Sequence, residues 1–134
     1  PIVALQVIGT HNSYHRRTTV PAAERFWMYR YPSLTEQLDR GIRNLELDIH
    51  YDWKTGRLVW QYRCFSSPGH VARVDTRFHV QLLRTWFVYH LSVLDAMTTC
   101  NCFSVCLEEI KQWSDMHPAH HILFVTIELK VYGD

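Results

Sequence analysis

Long apolar runs, internal repeats and low-complexity stretches are all missing from this 134-residue sequence. No run approaches the ~20 apolar residues that cross a bilayer, and the first residues lack the charged-then-apolar order of a signal peptide. An excess of one charge is missing too, since Lys and Arg total 14 against 13 for Asp and Glu. This balance gives no long-range field that would attract nucleic acid. We therefore expect neither a transmembrane segment nor a nucleic-acid partner.

What is present fits one ordinary soluble domain, because 47% of the residues are hydrophobic and 20% are charged. The chain opens on Pro1 and runs at once into an apolar segment, so we expect a mature or truncated product. Nine histidines are unusual, and imidazole both titrates near neutrality and binds metals. The histidines are therefore candidates for acid–base or metal chemistry.

The pattern of apolar residues predicts alternating strands and helices. Apolar and β-branched runs predict four strands, at residues 3–8, 42–50, 86–91 and 122–130. One helix is predicted between a capping Ser33 and Gly41. Apolar residues at helical spacing predict a second helix over 101–116. Between them, only a turn at 54–56 and a loop at 66–69 stand out.

This alternation is typical of an α/β fold with a parallel sheet and helices outside it. A (β/α)₈ TIM-type barrel usually needs ~250 residues. With about four strands, the chain is expected to form the first half of such a barrel, or else an open sheet.

Polar side chains share one face of the second predicted strand. Alternation puts Glu46, Asp48 and His50 on that face, with leucine and isoleucine on the other. Two neighbouring carboxylates in a barrel mouth would repel each other unless a cation held them, and hard oxygen ligands favour Ca²⁺ or Mg²⁺. An edge strand with one solvated face would give the same pattern.

Two further strand ends carry polar residues. Glu128 lies on the polar face near the end of the fourth predicted strand, and His11 and Asn12 directly follow the first. Barrel enzymes place their sites at the carboxyl ends of strands. An amide oxygen suits a hard-metal site, and an imidazole suits proton transfer. Taken singly, a surface glutamate or a structural loop histidine explains each equally well.

The motifs together resemble the calcium-dependent phosphoinositide phospholipase C family of bacteria and fungi. They are, in chain order, Gly9–His15 (GTHNSYH), Leu34–Leu38 (LTEQL), Gly41–His50 (GIRNLELDIH), Val88–His90 (VYH), Thr98–Cys100, Cys106–Leu107, Trp113–Asp115, His117–Pro118 and Ile127–Lys130 (IELK). The resemblance spans nearly the whole chain.

The resemblance implies a TIM-type barrel that cleaves phosphatidylinositol lipids at a membrane surface, giving diacylglycerol and a cyclic inositol phosphate. It implies His11 and His90 as the catalytic histidines. The choice of His90 over His50 or His70 rests on the VYH motif alone, and His50 is the first alternative. It also implies a set of Ca²⁺ ligands, namely Asn12, Glu46, Asp48 and Glu128. Lys130 is expected near the phosphate but outside this set.

Four cysteines are present, and CxC followed by Cys is a poor zinc pattern. The resemblance implies a disulfide between Cys100 and Cys106, with Cys64 and Cys102 left as a second pair. Disulfides form in oxidising compartments. A secreted or extracellular protein is therefore expected.

Two other functions share part of the pattern. A glycerophosphodiester phosphodiesterase also carries an E-x-D pair on a barrel strand, but it usually opens with His-Arg, whereas Asn12 follows His11 here. A catalytically inactive fragment or binding domain would keep the same motifs. Turnover with and without calcium separates these alternatives.

Overall fold

The computed structural model describes residues 4–51, 86–92 and 94–130. Its helices are α1 (Pro21–Glu24), α2 (Leu34–Asp39) and α3 (Phe103–Met116), and its strands are β1 (Gly9–Thr10), β2 (Asn44–Tyr51), β3 (Trp86–Val88) and β4 (Phe124–Lys130). The predicted turn at 54–56, the loop at 66–69, Cys64 and His70 lie outside these ranges. None of the described helices is both long and apolar enough to cross a bilayer.

Local sequence signals place helix α2. The Ser33 hydroxyl accepts from the Glu36 backbone N–H at 3.2 Å, and the Glu36 carboxylate accepts from the Ser33 N–H at 3.0 Å. At the other end, the N–H groups of Gly41 and Ile42 donate to carbonyls of the last turn. Gly41 has φ +92°, which favours glycine. The predicted boundaries of this helix are confirmed.

Helix α3 packs against α2 and β3. It begins at Phe103, two residues later than predicted, because Cys102 is extended. Its apolar stripe is buried as expected at Phe103, Cys106, Ile110 and Trp113, while Leu107 is partly buried. The Trp113 indole N–H donates to an Asp39 carboxylate oxygen at 2.7 Å, which joins α3 to the end of α2.

Strand β2 is the centre of a mixed four-stranded sheet. It runs parallel to β4 along one edge, from Asn44 to His50, and parallel to β1 at the start of its other edge. Beyond β1, that second edge pairs antiparallel with β3, where the Tyr51 and Trp86 rings lie 4.8 Å apart. The expectation of an all-parallel sheet is therefore wrong at β3.

The first predicted strand is also misplaced. Of the expected run over 3–8, the described residues are not strand, and pairing starts only where the Ile8 carbonyl accepts from the Arg43 N–H at 2.9 Å. Ile8 is 71% exposed, so the apolar run is not the buried strand its composition indicates. On β4, Ile127 and Leu129 are likewise exposed on the face expected to meet helices. The half-barrel remains a prediction.

The cysteines follow the expected pairing as far as they are described. Cys100 and Cys106 form a disulfide that joins the segment before α3 to its first turn. Cys102 is also disulfide-bonded. Its expected partner, Cys64, lies outside the described residues.

Replacing both Cys100 and Cys106 with serine should lower the free energy of unfolding by about 2 kcal/mol. The reason is that a short closed loop restricts the unfolded chain by roughly this amount. Urea unfolding of the double variant and of the oxidised wild type measures the difference. A fully reduced wild type that unfolds at the same urea concentration as the oxidised protein would contradict the expectation.

Candidate metal centre and flanking histidines

Three carboxylates converge where β2 and β4 run side by side. Asp48 is in register with Glu128 on the neighbouring parallel strand, and Glu46 lies two residues before Asp48 on the same face. One carboxylate oxygen from each of Glu46, Asp48 and Glu128 lies within 4.8 Å of the others. The face predicted from alternation is therefore the face on which these side chains meet.

Asp48 is the buried member of this group. Its side chain is fully buried, and within the described ranges neither carboxylate oxygen accepts a hydrogen bond of good geometry. Burial of an unpaired carboxylate is costly, so a counter-charge is required. Glu46 is partly buried and Glu128 is 52% exposed, so the group opens toward solvent.

Lys130 supplies positive charge to the group. Its ammonium nitrogen lies 3.0 Å from an Asp48 oxygen and donates to Glu128 at 2.6 Å. Partial burial lowers the pKa of Lys130, but the bonds to these carboxylates outweigh burial and raise the pKa overall. The Lys130 bond is also the main reason that the pKa of Glu128 is lowered. Alternation alone could have indicated the pairing, because residues 128 and 130 share a face.

These residues fit a Ca²⁺ ion. Calcium takes hard oxygen ligands in a flexible arrangement, and carboxylates are its usual protein ligands. One Asp48 oxygen lies 3.0 Å from the Lys130 ammonium, and neither oxygen accepts a hydrogen bond of good geometry from the described residues, so the carboxylate can serve as a ligand. Glu46, Asp48 and Glu128 are the residues that would hold it.

Asn12 is held beside the carboxylates by the backbone. The neighbouring Ser13 pairs with Glu46 twice: its N–H donates to the Glu46 carbonyl at 3.0 Å, and its hydroxyl accepts from the Glu46 N–H at 2.8 Å. Asn12 is buried and has φ +52°, a left-handed conformation that asparagine tolerates better than most residues. This turn sets where its amide lies.

The amide of Asn12 already has two partners. Its oxygen accepts from the Tyr14 hydroxyl at 3.1 Å, and its nitrogen donates to the Tyr29 hydroxyl at 3.0 Å. An amide oxygen accepts two hydrogen bonds, so one lone pair is left after the Tyr14 contact. Burial, followed by the nearby Asp48 charge, raises the pKa of Tyr14, which therefore stays protonated and donates.

His11 lies at the solvent side of the group. Its side chain is 73% exposed, and its Nε2 atom lies 3.5 Å from a Glu46 carboxylate oxygen. Position and exposure allow contact with a bound substrate, in line with its prediction as a catalytic histidine.

His90 is held by a buried aspartate that sequence reasoning missed. The Nδ1 atom of His90 lies 2.9 Å from an Asp95 oxygen, and His15 Nε2 lies 2.8 Å from both Asp95 oxygens. Asp95 and His15 are fully buried, whereas 20% of the His90 side chain is exposed. The edge of Trp27 contacts the His90 ring, with centroids 5.6 Å apart. The sequence signal that could have identified Asp95 is its position, five residues after His90.

His50, the alternative second histidine, is in the interior. Its Nε2 atom lies 2.6 Å from the Tyr89 carbonyl oxygen, and its ring stacks on Tyr89 with centroids 3.8 Å apart. Burial lowers the pKa of His50 to about 4, so it is neutral at physiological pH. His90 is the more accessible of the two histidines, because 20% of its side chain is exposed whereas His50 is buried.

The chain matches a known family over nearly its whole length. The family model described as "Phosphoinositide phospholipase C, Ca2+-dependent" matches residues 1–133. Comparison with curated proteins and with solved structures gives no match. The family's dependence on Ca²⁺ agrees with the charge and the oxygen ligands of the carboxylate group.

Proposed function

Because the chain belongs to the Ca²⁺-dependent phosphoinositide phospholipase C family, we propose that it cleaves phosphatidylinositol-type lipids. The reaction is attack of the inositol 2-hydroxyl oxygen on phosphorus. The new O–P bond closes a cyclic inositol phosphate, and the bond from phosphorus to the glycerol oxygen breaks, releasing diacylglycerol.

One observation carries the proposal: the carboxylates of Glu46, Asp48 and Glu128 meet within 4.8 Å, and the exposed His11 lies 3.5 Å from the Glu46 carboxylate. Phosphodiester cleavage needs a positive centre near the phosphate and proton transfer at two oxygens. Bound Ca²⁺ lowers the pKa of a nearby hydroxyl and offsets negative charge on phosphate. Asn12 is the proposed fourth ligand, through its remaining amide lone pair.

The histidines divide the proton transfers between them. His11, exposed and next to Glu46, accepts the proton of the attacking hydroxyl or contacts the phosphate. His90 donates a proton to the glycerol oxygen as it leaves. Because Asp95 holds Nδ1 of His90, the Nε2 atom is the one left to carry this proton, as general-acid catalysis requires.

Lys130 places a positive charge beside two of the three carboxylates. Its ammonium lies 3.0 Å from an Asp48 oxygen and 2.6 Å from a Glu128 oxygen, and its bond to Glu128 lowers the pKa of that carboxyl. An ammonium this close to the ligands can also contact a phosphate oxygen. We keep Lys130 outside the ligand set.

The setting of the reaction is part of the proposal. The fold we propose is the first half of a (β/α)₈ barrel, supported by the parallel pairing of β1, β2 and β4. A secreted protein that acts at a membrane surface is supported by the Cys100–Cys106 disulfide, because such bonds persist in oxidising compartments.

The test is turnover of phosphatidylinositol in mixed micelles, with calcium and with a chelator. Calcium should raise the rate at least about 100-fold, because metal stabilisation of several kcal/mol corresponds to at least two factors of ten. Glycerophosphoinositol, offered in parallel, separates the related phosphodiesterase reaction. Equal turnover rates with calcium and with the chelator, or no turnover of either substrate, would contradict the proposal.

A further inference from the structure

Away from the carboxylate group, the structure has a cavity of about 600 Å³ lined by arginines. Four of its lining residues are arginines, namely Arg16, Arg17, Arg30 and Arg40. The other lining residues are Thr19, Tyr31, Pro32, Ser33, Met97 and Thr99. Among the described residues, no aspartate or glutamate lines the cavity, and neither the three carboxylates nor His11 and His90 belong to its lining.

Most of this positive charge is not neutralised within the described part of the chain. Arg17 forms an ion pair with Glu24. The guanidinium groups of Arg16, Arg30 and Arg40 form neither an ion pair nor a hydrogen bond with any residue that the structure describes. Three like charges around one space repel one another, and an anion between them would relieve that repulsion.

Backbone hydrogen bonds hold together two of the segments that line the cavity, near Arg16 and near Met97 and Thr99. The Arg16 N–H donates to the Met97 carbonyl at 3.0 Å, and the Thr99 N–H donates to the Tyr14 carbonyl at 2.8 Å. The Thr99 hydroxyl oxygen is buried and has no hydrogen-bond partner among the described residues.

We propose that this arginine cavity binds a phosphate group, separately from the carboxylate site. Guanidinium groups present a planar pair of N–H donors that matches phosphate oxygens, and arginine clusters are a recurring way to recognise phosphorylated ligands. The volume lies within the usual range for small-ligand sites, about 300–1,000 Å³. The proposal goes beyond the proposed function and does not depend on it.

The phosphate has two chemical sources, a soluble phosphorylated molecule and the headgroup of an anionic phospholipid. The experiment uses a probe for each, with chelator present so that the carboxylate site does not bind cations. Inorganic phosphate is titrated into the full chain while the backbone amide signals of Met97 and Thr99 are followed by NMR. Vesicles of phosphatidylcholine, with and without phosphatidic acid, are tested by co-sedimentation.

The diagnostic variant is Arg16→Gln/Arg30→Gln, and the matched control is Arg25→Gln/Lys111→Gln, which removes the same charge. Arg25 lies over the Phe26 ring, and Lys111 pairs with Asp115 on the surface of α3, so neither lines the cavity. We expect the diagnostic variant to bind at least about tenfold more weakly. The control should bind like the wild type.

The outcomes separate the sources. If inorganic phosphate shifts the amide signals of Met97 and Thr99, the ligand is a soluble phosphorylated molecule. Vesicle binding that needs phosphatidic acid and falls in the diagnostic variant, without amide shifts, assigns a headgroup. Equal losses in the diagnostic and control variants, or binding of neither probe, would overturn the proposal. Should Arg16→Gln/Arg30→Gln fail to fold, Arg30→Gln/Arg40→Gln replaces it.

Discussion

Replacing His90 with alanine is expected to lower turnover of phosphatidylinositol about 10²–10⁴-fold, the usual contribution of general-acid catalysis. The glycerol oxygen leaves poorly without a proton, and His90 is the histidine we assign to supply it. An inositol phosphodiester with an activated phenol leaving group needs no proton on departure. With that substrate, His90→Ala should keep much of the wild-type rate, as steady-state kinetics on both substrates would reveal.

A matched control for this variant is His121→Ala, which removes an exposed histidine outside the site. It should leave turnover of both substrates unchanged. Equal losses of His90→Ala on the two substrates would reject the general-acid role. A loss confined to the lipid substrate would support it.

Replacing Asp95 provides a second test of proton donation by His90. The aspartate contacts His90 at Nδ1 and His15 at Nε2 while being fully buried itself. It thereby fixes the orientation of the His90 ring, as other carboxylates orient catalytic histidines. Asp95→Asn should therefore show the same dependence on the leaving group as His90→Ala, with a smaller loss, because the imidazole is still present.

Local signals explain what was predictable from the sequence. Helix α2 was predicted because Ser33, Glu36 and Gly41 form contacts only with their own neighbours in the chain. The shared face of Glu46 and Asp48 was predicted because alternation along a strand does not depend on what packs against it. Predicting these two features requires no knowledge of the rest of the fold.

Features that depend on distant segments were missed. The antiparallel direction of β3 is set by its pairing with the end of β2, across residues whose pattern is weak. The exposure of Ile8 depends on what covers the sheet edge, which the apolar run itself does not specify. The burial of His15 on Asp95 joins positions 80 residues apart. Strand and helix periodicity carries no information about such contacts.

Asp48→Asn is expected to abolish the response of the protein to calcium. Ligands that bind only the folded state stabilise it, by about 2.7 kcal/mol at a concentration of 100 times Kd. Calcium should therefore raise the thermal unfolding midpoint of the wild type. Asp48 supplies the buried carboxylate of the group, and an amide is a weaker, uncharged ligand. The variant should show little or no shift, as well as calcium-dependent turnover reduced by about 10²–10³-fold.

The midpoint shift makes this test independent of catalysis, because it requires folding and binding but no reaction. Asp115→Asn is the control. It removes a carboxylate from the exposed surface of α3, where Asp115 pairs with Lys111, and it should respond to calcium as the wild type does. Glu128→Gln should fall between the two, since its carboxylate is about half exposed and already bonded to Lys130. If Asp48→Asn and the wild type showed equal calcium shifts, the cation would bind elsewhere, and the assignment of Glu46, Asp48 and Glu128 as its ligands would be wrong.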